Sequence, residues 1–178
     1  MSQRKQLEQL LDERIVILDG AMGTSIQELK FSEEDFRGKR FEDWPTPLKG
    51  NNDLLTLTQP ESIAAIHRNF LEAGADIIST NTFNASAPSL GDYGMTNMVV
   101  EYNLAAARLA RKTVDTYIEE TGSVGFVSGV LGPTNRTCSI SPDVNDPAAR
   151  NITFDELVQT YTEAVTALID GGVDLLMV

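Results

Sequence analysis

The sequence has few of the residues that mark several common protein classes. It contains one cysteine, which excludes an internal disulfide and fits a reducing compartment, so a cytoplasmic location is expected. It has no run of about 18 apolar residues and no apolar signal core near its start, so neither a membrane span nor a secretion signal is expected. Its 14 Lys and Arg are outnumbered by 26 Asp and Glu. This net charge of −12 disfavours nucleic acid as a partner, because binding to phosphates uses clustered cations.

The residues that are present suffice for one ordinary domain. With 178 residues, 42% of them hydrophobic, the chain can bury a core. Short apolar runs predict four strands, at 15–18, 76–80, 125–130 and 174–178. These runs are continuous rather than alternating, which is typical of parallel strands that are buried on both faces.

Helical patterns separate the four runs. The stretches 60–73 and 97–121 each place apolar residues on one face, and a third helix is predicted to follow residue 153. Two capping-box patterns indicate helix starts: Thr58 with Glu61, and Thr153 with Glu156. The resulting order β-α-β-α-β-α-β predicts an α/β fold with a parallel sheet.

Loop lengths indicate which edge of the sheet holds a functional site. Turns that enter strands are only a few residues long, whereas the segments that leave strands are long: 19–59, 81–96 and 131–152. An eight-stranded β/α barrel shows this asymmetry, because its sites are assembled from loops at the carboxyl ends of the strands. A doubly wound sheet would place its ligands at the same edge.

The last residues repeat an earlier pattern and then stop. Residues 168–178 comprise a helix end, a glycine turn and an apolar strand, as do residues 70–78, with Asp174 lying 98 positions after Asp76. A final strand without a following helix leaves its face and edge uncovered. We therefore expect residues 1–178 to be the first half of a TIM-type β/α barrel, about four β/α units, with the remainder and other modules absent. Its open edges are expected to favour self-association.

Candidate binding residues follow the first predicted strand. They are Asp19, Gly20 and Ala21. A carboxylate at a strand end can accept hydrogen bonds from an ammonium group, and glycine lets backbone N–H groups approach a ligand carboxylate. A tight turn in which neighbouring amides satisfy Asp19 is an equally good interpretation.

Further candidates follow the second predicted strand. Thr80, Asn81 and Thr82 can line a pocket, or their side chains can cap the loop and the next helix. His67 lies inside a predicted helix without a nearby ligand partner, so it is interpreted as structural. Cys138 has none of the spacings of a zinc site. No metal ligand is therefore predicted within the chain.

Several segments together closely resemble one known family. They are 18–24, 35–41, 49–55, 72–84, 129–137 and 139–154, and they match in one register across 15–178. The family is the homocysteine-binding module of cobalamin-dependent methionine synthase, in which the module is the N-terminal β/α barrel of a much larger protein. Smaller stand-alone homocysteine S-methyltransferases are similar at the strand ends, but the loops 35–45 and 139–154 resemble the cobalamin-dependent type.

The resemblance implies a reaction and its cofactors. Methyl transfer from methylcobalamin to homocysteine gives methionine, with zinc and cobalamin as cofactors of the full-length protein. The zinc cysteines are implied to lie beyond Val178, and another module presents the methylcobalamin. Asp19 and Gly20 are implied contacts to the amino-acid end of homocysteine, and this segment alone is expected to be inactive. The family commonly has glycine where this chain has Ala21, which would be strained if the position requires positive φ.

Two alternative functions stay open. A stand-alone homocysteine S-methyltransferase would use a different methyl donor. A non-catalytic module would instead bind an amino acid through Asp19 alone. Sequence beyond residue 178 distinguishes these possibilities, because a binding module needs no set of three zinc thiolates.

Overall fold

The computed structural model describes residues 3–178. Three parallel strands form one sheet in the order β1-β2-β3: β1 is Ile77–Ser79, β2 is Phe126–Val130 and β3 is Leu175–Met177. Ser128 in the central strand pairs with Ser79 on one side and Leu175 on the other. The fold is therefore mixed α/β with a small parallel sheet, as predicted.

Eight α-helices accompany the sheet within residues 3–178. They are α1 (Gln3–Glu13), α2 (Met22–Glu28), α3 (Glu33–Arg37), α4 (Leu55–Thr58), α5 (Pro60–Glu72), α6 (Ala87–Leu90), α7 (Val99–Thr121) and α8 (Phe154–Asp170). Single 3₁₀ turns occupy Asn52–Leu54, Gly91–Tyr93 and Thr96–Met98. In this described part of the chain, no helix has both the length and the apolar character needed to cross a membrane.

One of the two predicted capping boxes is present. At the start of α8, the Thr153 hydroxyl accepts from the Glu156 N–H, and the Glu156 carboxylate accepts from the Thr153 N–H. The box predicted at Thr58 is wrong. Gln59 is the N-cap of α5 and makes no side-chain cap bond; its side-chain amide instead donates to the Asp35 carbonyl at 2.9 Å.

The predicted strand at 15–18 forms only one bridge, between Leu18 and Ile77. The chain there still runs parallel to β1, and the Asp19 N–H donates to the Ile77 carbonyl at 2.9 Å. Its other side has no partner strand within the described chain, and Ile15 is 82% exposed. Because Ile17 and Leu18 are exposed as well, the segment has too little apolar burial to extend into a regular strand.

Two aspartates at equivalent positions of the sequence repeat join neighbouring strands. Asp76 precedes β1 and accepts from the Ile17 N–H, while Asp174 precedes β3 and accepts from the Val127 N–H, both at 2.8 Å. The arginines that pair with these carboxylates are Arg14 and Arg111, respectively. Each charge-assisted contact adds a cross-strand bond where the strands begin and helps to set their register.

Helix α7 is the central helix of the layer that covers the sheet. It packs against α5 and α8, and its buried Ala110 and Val114 meet Ile78 and Val127 of the sheet. The helix ends at Gly122, whose left-handed φ of 71° suits glycine. The apolar faces predicted from helical periodicity thus form the core.

The segment 19–59, predicted as a long loop, contains α2, α3 and α4. Arg37 organises it by donating to the carbonyls of Glu42, Trp44 and Thr46. The indole N–H of Trp44 donates to the Tyr93 carbonyl at 2.8 Å. These bonds shape the segment and attach it to the 3₁₀ turn Gly91–Tyr93. Other residues of the segment, 19–23, Asn52 and Asp53, line a cavity.

Candidate functional site

A cavity of about 350 Å³ lies at the carboxyl ends of the strands. This volume falls within the range of roughly 300–1,000 Å³ that is usual for small-molecule sites. The cavity lies at the edge of the sheet that the loop lengths predict. Its lining comes from 18–23, Asn52 and Asp53, 79–84, Val130 and Met177.

All six predicted site residues line this cavity. They are Asp19, Gly20, Ala21, Thr80, Asn81 and Thr82. The structure therefore brings together two groups of residues that lie about 60 positions apart in the chain. Their contact with a substrate stays a prediction.

Asp19 is held in place by Ser79 of β1. Its carboxylate accepts from the Ser79 N–H at 2.9 Å and from the Ser79 hydroxyl at 2.7 Å. Burial raises the pKa of Asp19 above its usual value, although the two bonds from Ser79 act in the opposite direction. The amide that binds Asp19 thus belongs to the neighbouring strand rather than to its own turn. A fixed, half-buried carboxylate of this kind can accept an ammonium group.

Ala21 has a left-handed backbone, with φ of 51°. This conformation costs a residue with a side chain roughly 1–2 kcal/mol, so the strain that the sequence suggests is present. The N–H groups of Gly20 and Ala21 donate to no acceptor within residues 3–178. Both groups are therefore available to a ligand.

Thr80 and Thr82 form a closed ring of hydrogen bonds with Val130. The Thr82 hydroxyl donates to the Val130 carbonyl at 2.7 Å, and the Val130 N–H donates to the Thr80 hydroxyl at 3.0 Å. The two hydroxyls lie 2.7 Å apart. Because each hydroxyl has one hydrogen, Thr80 must donate to Thr82. Neither hydroxyl therefore has a hydrogen left for a ligand, although each can accept a bond.

Asn81 joins the loop after β1 to the segment before α5. Its side-chain amide donates to the Asn52 carbonyl at 2.8 Å and to the Thr56 hydroxyl at 3.3 Å. These contacts hold the two walls of the cavity together.

Sequence reasoning missed Asp53 as a residue of the cavity. Asp53 is 2% exposed, and its carboxylate accepts from the Asn84 N–H at 2.6 Å. Burial raises the pKa of Asp53 to about 7, against the smaller effect of the Asn84 bond. The sequence signal for Asp53 is its position directly before two leucines, Leu54 and Leu55. Both leucines are fully buried, and they bring the neighbouring carboxylate into the interior.

The described residues do not fit a zinc site. Within residues 3–178, no cluster of three or more His, Cys, Asp or Glu side chains could hold a metal ion. Cys138 lies in the segment 131–152, and His67 is buried in α5 with neither ring nitrogen hydrogen-bonded. This part of the chain therefore does not supply the zinc ligands that the resemblance implies for the full-length protein.

The chain is thus an α/β protein with a cavity at the carboxyl ends of its parallel strands. Residues 16–178 match the homocysteine S-methyltransferase family. The chain belongs to that family, and the resemblance seen in the sequence is confirmed at this level.

Crystal structures of the homocysteine methyltransferase MmuM from Escherichia coli share the fold. The oxidized form matches with a TM-score of 0.71 and 23% identity, over 96% of this chain and 55% of that chain. The metallated form gives 0.70 and 22%, over 96% and 55%. The apo form gives 0.62 and 22%, over 94% and 50%. At these identities the likeness shows the fold alone, and the chain spans about half the length of these structures.

Proposed function

We propose that this chain binds homocysteine in the cavity at the strand ends, as part of a cobalamin-dependent methionine synthase. Membership of the homocysteine S-methyltransferase family supports the substrate. The observation that carries the proposal is the grouping of Asp19 with the available N–H groups of Gly20 and Ala21 in one cavity. A carboxylate beside backbone donors complements the ammonium and carboxylate of an amino acid.

In this proposal Asp19 binds the substrate ammonium. Its carboxylate is already oriented by Ser79, so little conformational freedom is lost when the ligand binds. A bound cation also offsets the burial that raises the pKa of Asp19. The N–H groups of Gly20 and Ala21 donate to the substrate carboxylate.

The loop after β1 forms the facing wall. The ring of Thr80, Thr82 and Val130 fixes its backbone, and Asn81 ties it to Asn52. We assign these residues to shaping the pocket and to accepting hydrogen bonds from the substrate. None of them supplies a proton to the reaction.

The sulfur chemistry is assigned to residues outside this segment. Zinc, when bound, stabilises the homocysteine thiolate at neutral pH. Residues 3–178 hold no fitting ligand set, so we place the zinc cysteines and the cobalamin-binding module in further parts of the protein. The segment alone is then inactive.

The fold shared with MmuM favours a second candidate, a stand-alone homocysteine methyltransferase that uses another methyl donor. The first proposal rests on the loops 35–45 and 139–154, where the chain resembles the cobalamin-dependent type. The two candidates share the homocysteine site and differ in the donor.

Methionine formation by the natural protein that carries these residues distinguishes the candidates. We expect methionine from homocysteine with methylcobalamin and none with the sulfonium donor S-adenosylmethionine. Product with the sulfonium donor alone would support the stand-alone enzyme. Homocysteine binding without product from either donor would support a non-catalytic module, and absence of binding in calorimetry would refute the proposed site.

A further inference from the structure

The loop after β1 and the segment 131–152 meet at the rim of the cavity. Gly132 of that segment lies directly against the backbone of Phe83, which lines the cavity. A Cβ atom added to Gly132 would overlap the Phe83 carbonyl oxygen, and it would lie 3.0 Å from the carbonyl carbon and 3.1 Å from the ring atom Cδ2. The φ of Gly132 is not positive, so its backbone does not require glycine. The missing side chain therefore serves the close approach of two chain segments.

Phe83 cannot easily move away from a side chain at this position. Its neighbour Thr82 donates from its hydroxyl to the Val130 carbonyl at 2.7 Å. Its other neighbour, Asn84, donates from its N–H to the Asp53 carboxylate at 2.6 Å. A displacement of Phe83 therefore strains one of these two bonds, and Thr82 and Asp53 both line the cavity.

Gly132 is held in place as well. The Tyr161 hydroxyl of α8 donates to the Gly132 carbonyl at 3.1 Å. Pro133 follows Gly132, and its ring fixes its own φ and disfavours helical conformations of the residue before it. A side chain added to Gly132 would thus be compressed between two anchored segments, so the cavity wall would have to change shape.

We propose that Gly132 is a positioning residue of the substrate cavity: because it has no side chain, the segment 131–152 supports Phe83 and keeps the wall 80–84 in its binding position. This inference rests on the proposed function, because it assumes that homocysteine enters the cavity. The competing role for Gly132 is packing alone, which would affect stability and leave the cavity unchanged. The two roles differ in whether a folded variant still binds homocysteine normally.

Gly132→Ala separates the two roles. Calorimetry on the natural protein should show L-homocysteine binding weakened roughly 10- to 100-fold, since a displacement of about 1 Å in a site can cost 100-fold. With the donor that supports methionine formation, KM for homocysteine should rise correspondingly. In contrast, kcat should change less than about threefold, because the sulfur chemistry is assigned to residues outside this segment.

Gly171→Ala is the matched control. A Cβ atom added to Gly171 would overlap the Ala107 methyl where α8 packs on α7, and Gly171 does not line the cavity. The φ of Gly171 is −78°, so this variant too is strained by contact alone. It should lower the midpoint of urea unfolding and leave the homocysteine affinity of the folded protein unchanged.

Phe83→Ala tests which part of Phe83 responds. The atom nearest to the added Cβ is the carbonyl oxygen, which this substitution keeps. Gly132→Ala should therefore weaken homocysteine binding by the same factor in the Phe83→Ala background. Recovery of affinity in the double variant would overturn the inference, because the ring rather than the backbone wall would then respond to the added side chain.

Two further results would overturn the inference. One is wild-type homocysteine affinity in folded Gly132→Ala, and the other is an equal loss in Gly171→Ala, which would show that destabilisation alone weakens binding. If Gly132→Ala does not fold, Tyr161→Phe decides. Loss of the hydroxyl that holds Gly132 should weaken binding about 2- to 5-fold, and unchanged affinity overturns the inference. Failure of the wild-type protein to bind homocysteine would instead refute the proposed function.

Discussion

Asp19, which follows the segment 15–18, is joined to Ser79 of β1 by two hydrogen bonds. The Asp19 carboxylate accepts from the Ser79 N–H at 2.9 Å and from the Ser79 hydroxyl at 2.7 Å. The pair lies at the mouth of the cavity, about 60 residues apart in the chain. Ser79 thereby fixes the orientation of the Asp19 carboxylate.

Asp19→Asn should weaken homocysteine binding by about 1.5–3 kcal/mol, the usual range for hydrogen bonds to charged groups. Calorimetry on the natural protein measures this loss, and its zinc content should not change. Ser79→Ala removes one of the two bonds and leaves the charge, so a smaller loss of roughly 0.5–1.5 kcal/mol is expected. If Asp19→Asn bound homocysteine with wild-type affinity, Asp19 would have only a structural role.

Asp53 should make the free energy of unfolding depend on pH. Its pKa in the folded protein, about 7, is above the ordinary value of 3.8. The stabilisation from this proton is therefore complete below about pH 4 and is lost as the pH rises through 7. The free energy of unfolding of Asp53→Asn, relative to that of the wild type, should rise by roughly 3–5 kcal/mol between pH 4 and pH 8. This range follows from about 1.4 kcal/mol per unit of pKa shift. Urea unfolding at both pH values measures this, and parallel pH profiles would contradict it.

His67 should have the opposite effect on the pH dependence of the free energy of unfolding. Burial lowers its pKa from 6.5 to about 4, and neither ring nitrogen has a hydrogen-bond partner in the described chain. Its contribution to stability is complete above about pH 6.5 and is lost as the pH falls towards 4. His67→Leu should therefore become more stable relative to the wild type by roughly 3 kcal/mol over that interval. Urea unfolding at pH 7 and pH 4.5 tests this, and a constant difference would show that folding does not lower the pKa of His67.

Ala21→Gly should stabilise the protein by roughly 1 kcal/mol, because glycine adopts the left-handed backbone without strain. Lys30→Gly is the matched control, since Lys30 has a similar φ of 53° and does not line the cavity. Both variants should raise the midpoint of urea unfolding. A stabilised Lys30→Gly beside a destabilised Ala21→Gly would show that the alanine methyl makes a favourable contact.

The 178-residue chain should self-associate at micromolar concentration. Apolar side chains are exposed along both outer segments of the sheet, including Ile15 at 82% and Val178 at 98%. Within the described residues, β3 pairs only with β2 and leaves its other edge open. Analytical ultracentrifugation should detect dimers or larger species, and Leu176→Lys should reduce them by placing a charge on the edge strand. A compact wild-type monomer would contradict this expectation.

Local pattern and short-range chemistry were enough to predict much of the fold. Helical periodicity predicted α5, α7 and α8 near their observed bounds, and the box of Thr153 and Glu156 marked the start of α8. Continuous apolar runs predicted β1, β2 and β3. These features are readable because each one depends on residues close together in the chain. The segment 15–18 forms a single bridge to β1 rather than the predicted strand, because its apolar side chains are largely exposed and gain little from packing.

The sequence by itself determined the parallel α/β arrangement, the edge that carries the cavity and the six residues predicted for it, since strand ends and long loops are local features. Only the tertiary structure decided which groups those residues bind. Ser79 orients Asp19, Val130 uses the hydroxyl hydrogen of Thr82, and burial beside Asn84 raises the pKa of Asp53. Contacts between distant segments and the loss of solvent around a charge depend on the complete packing, which no local pattern contains.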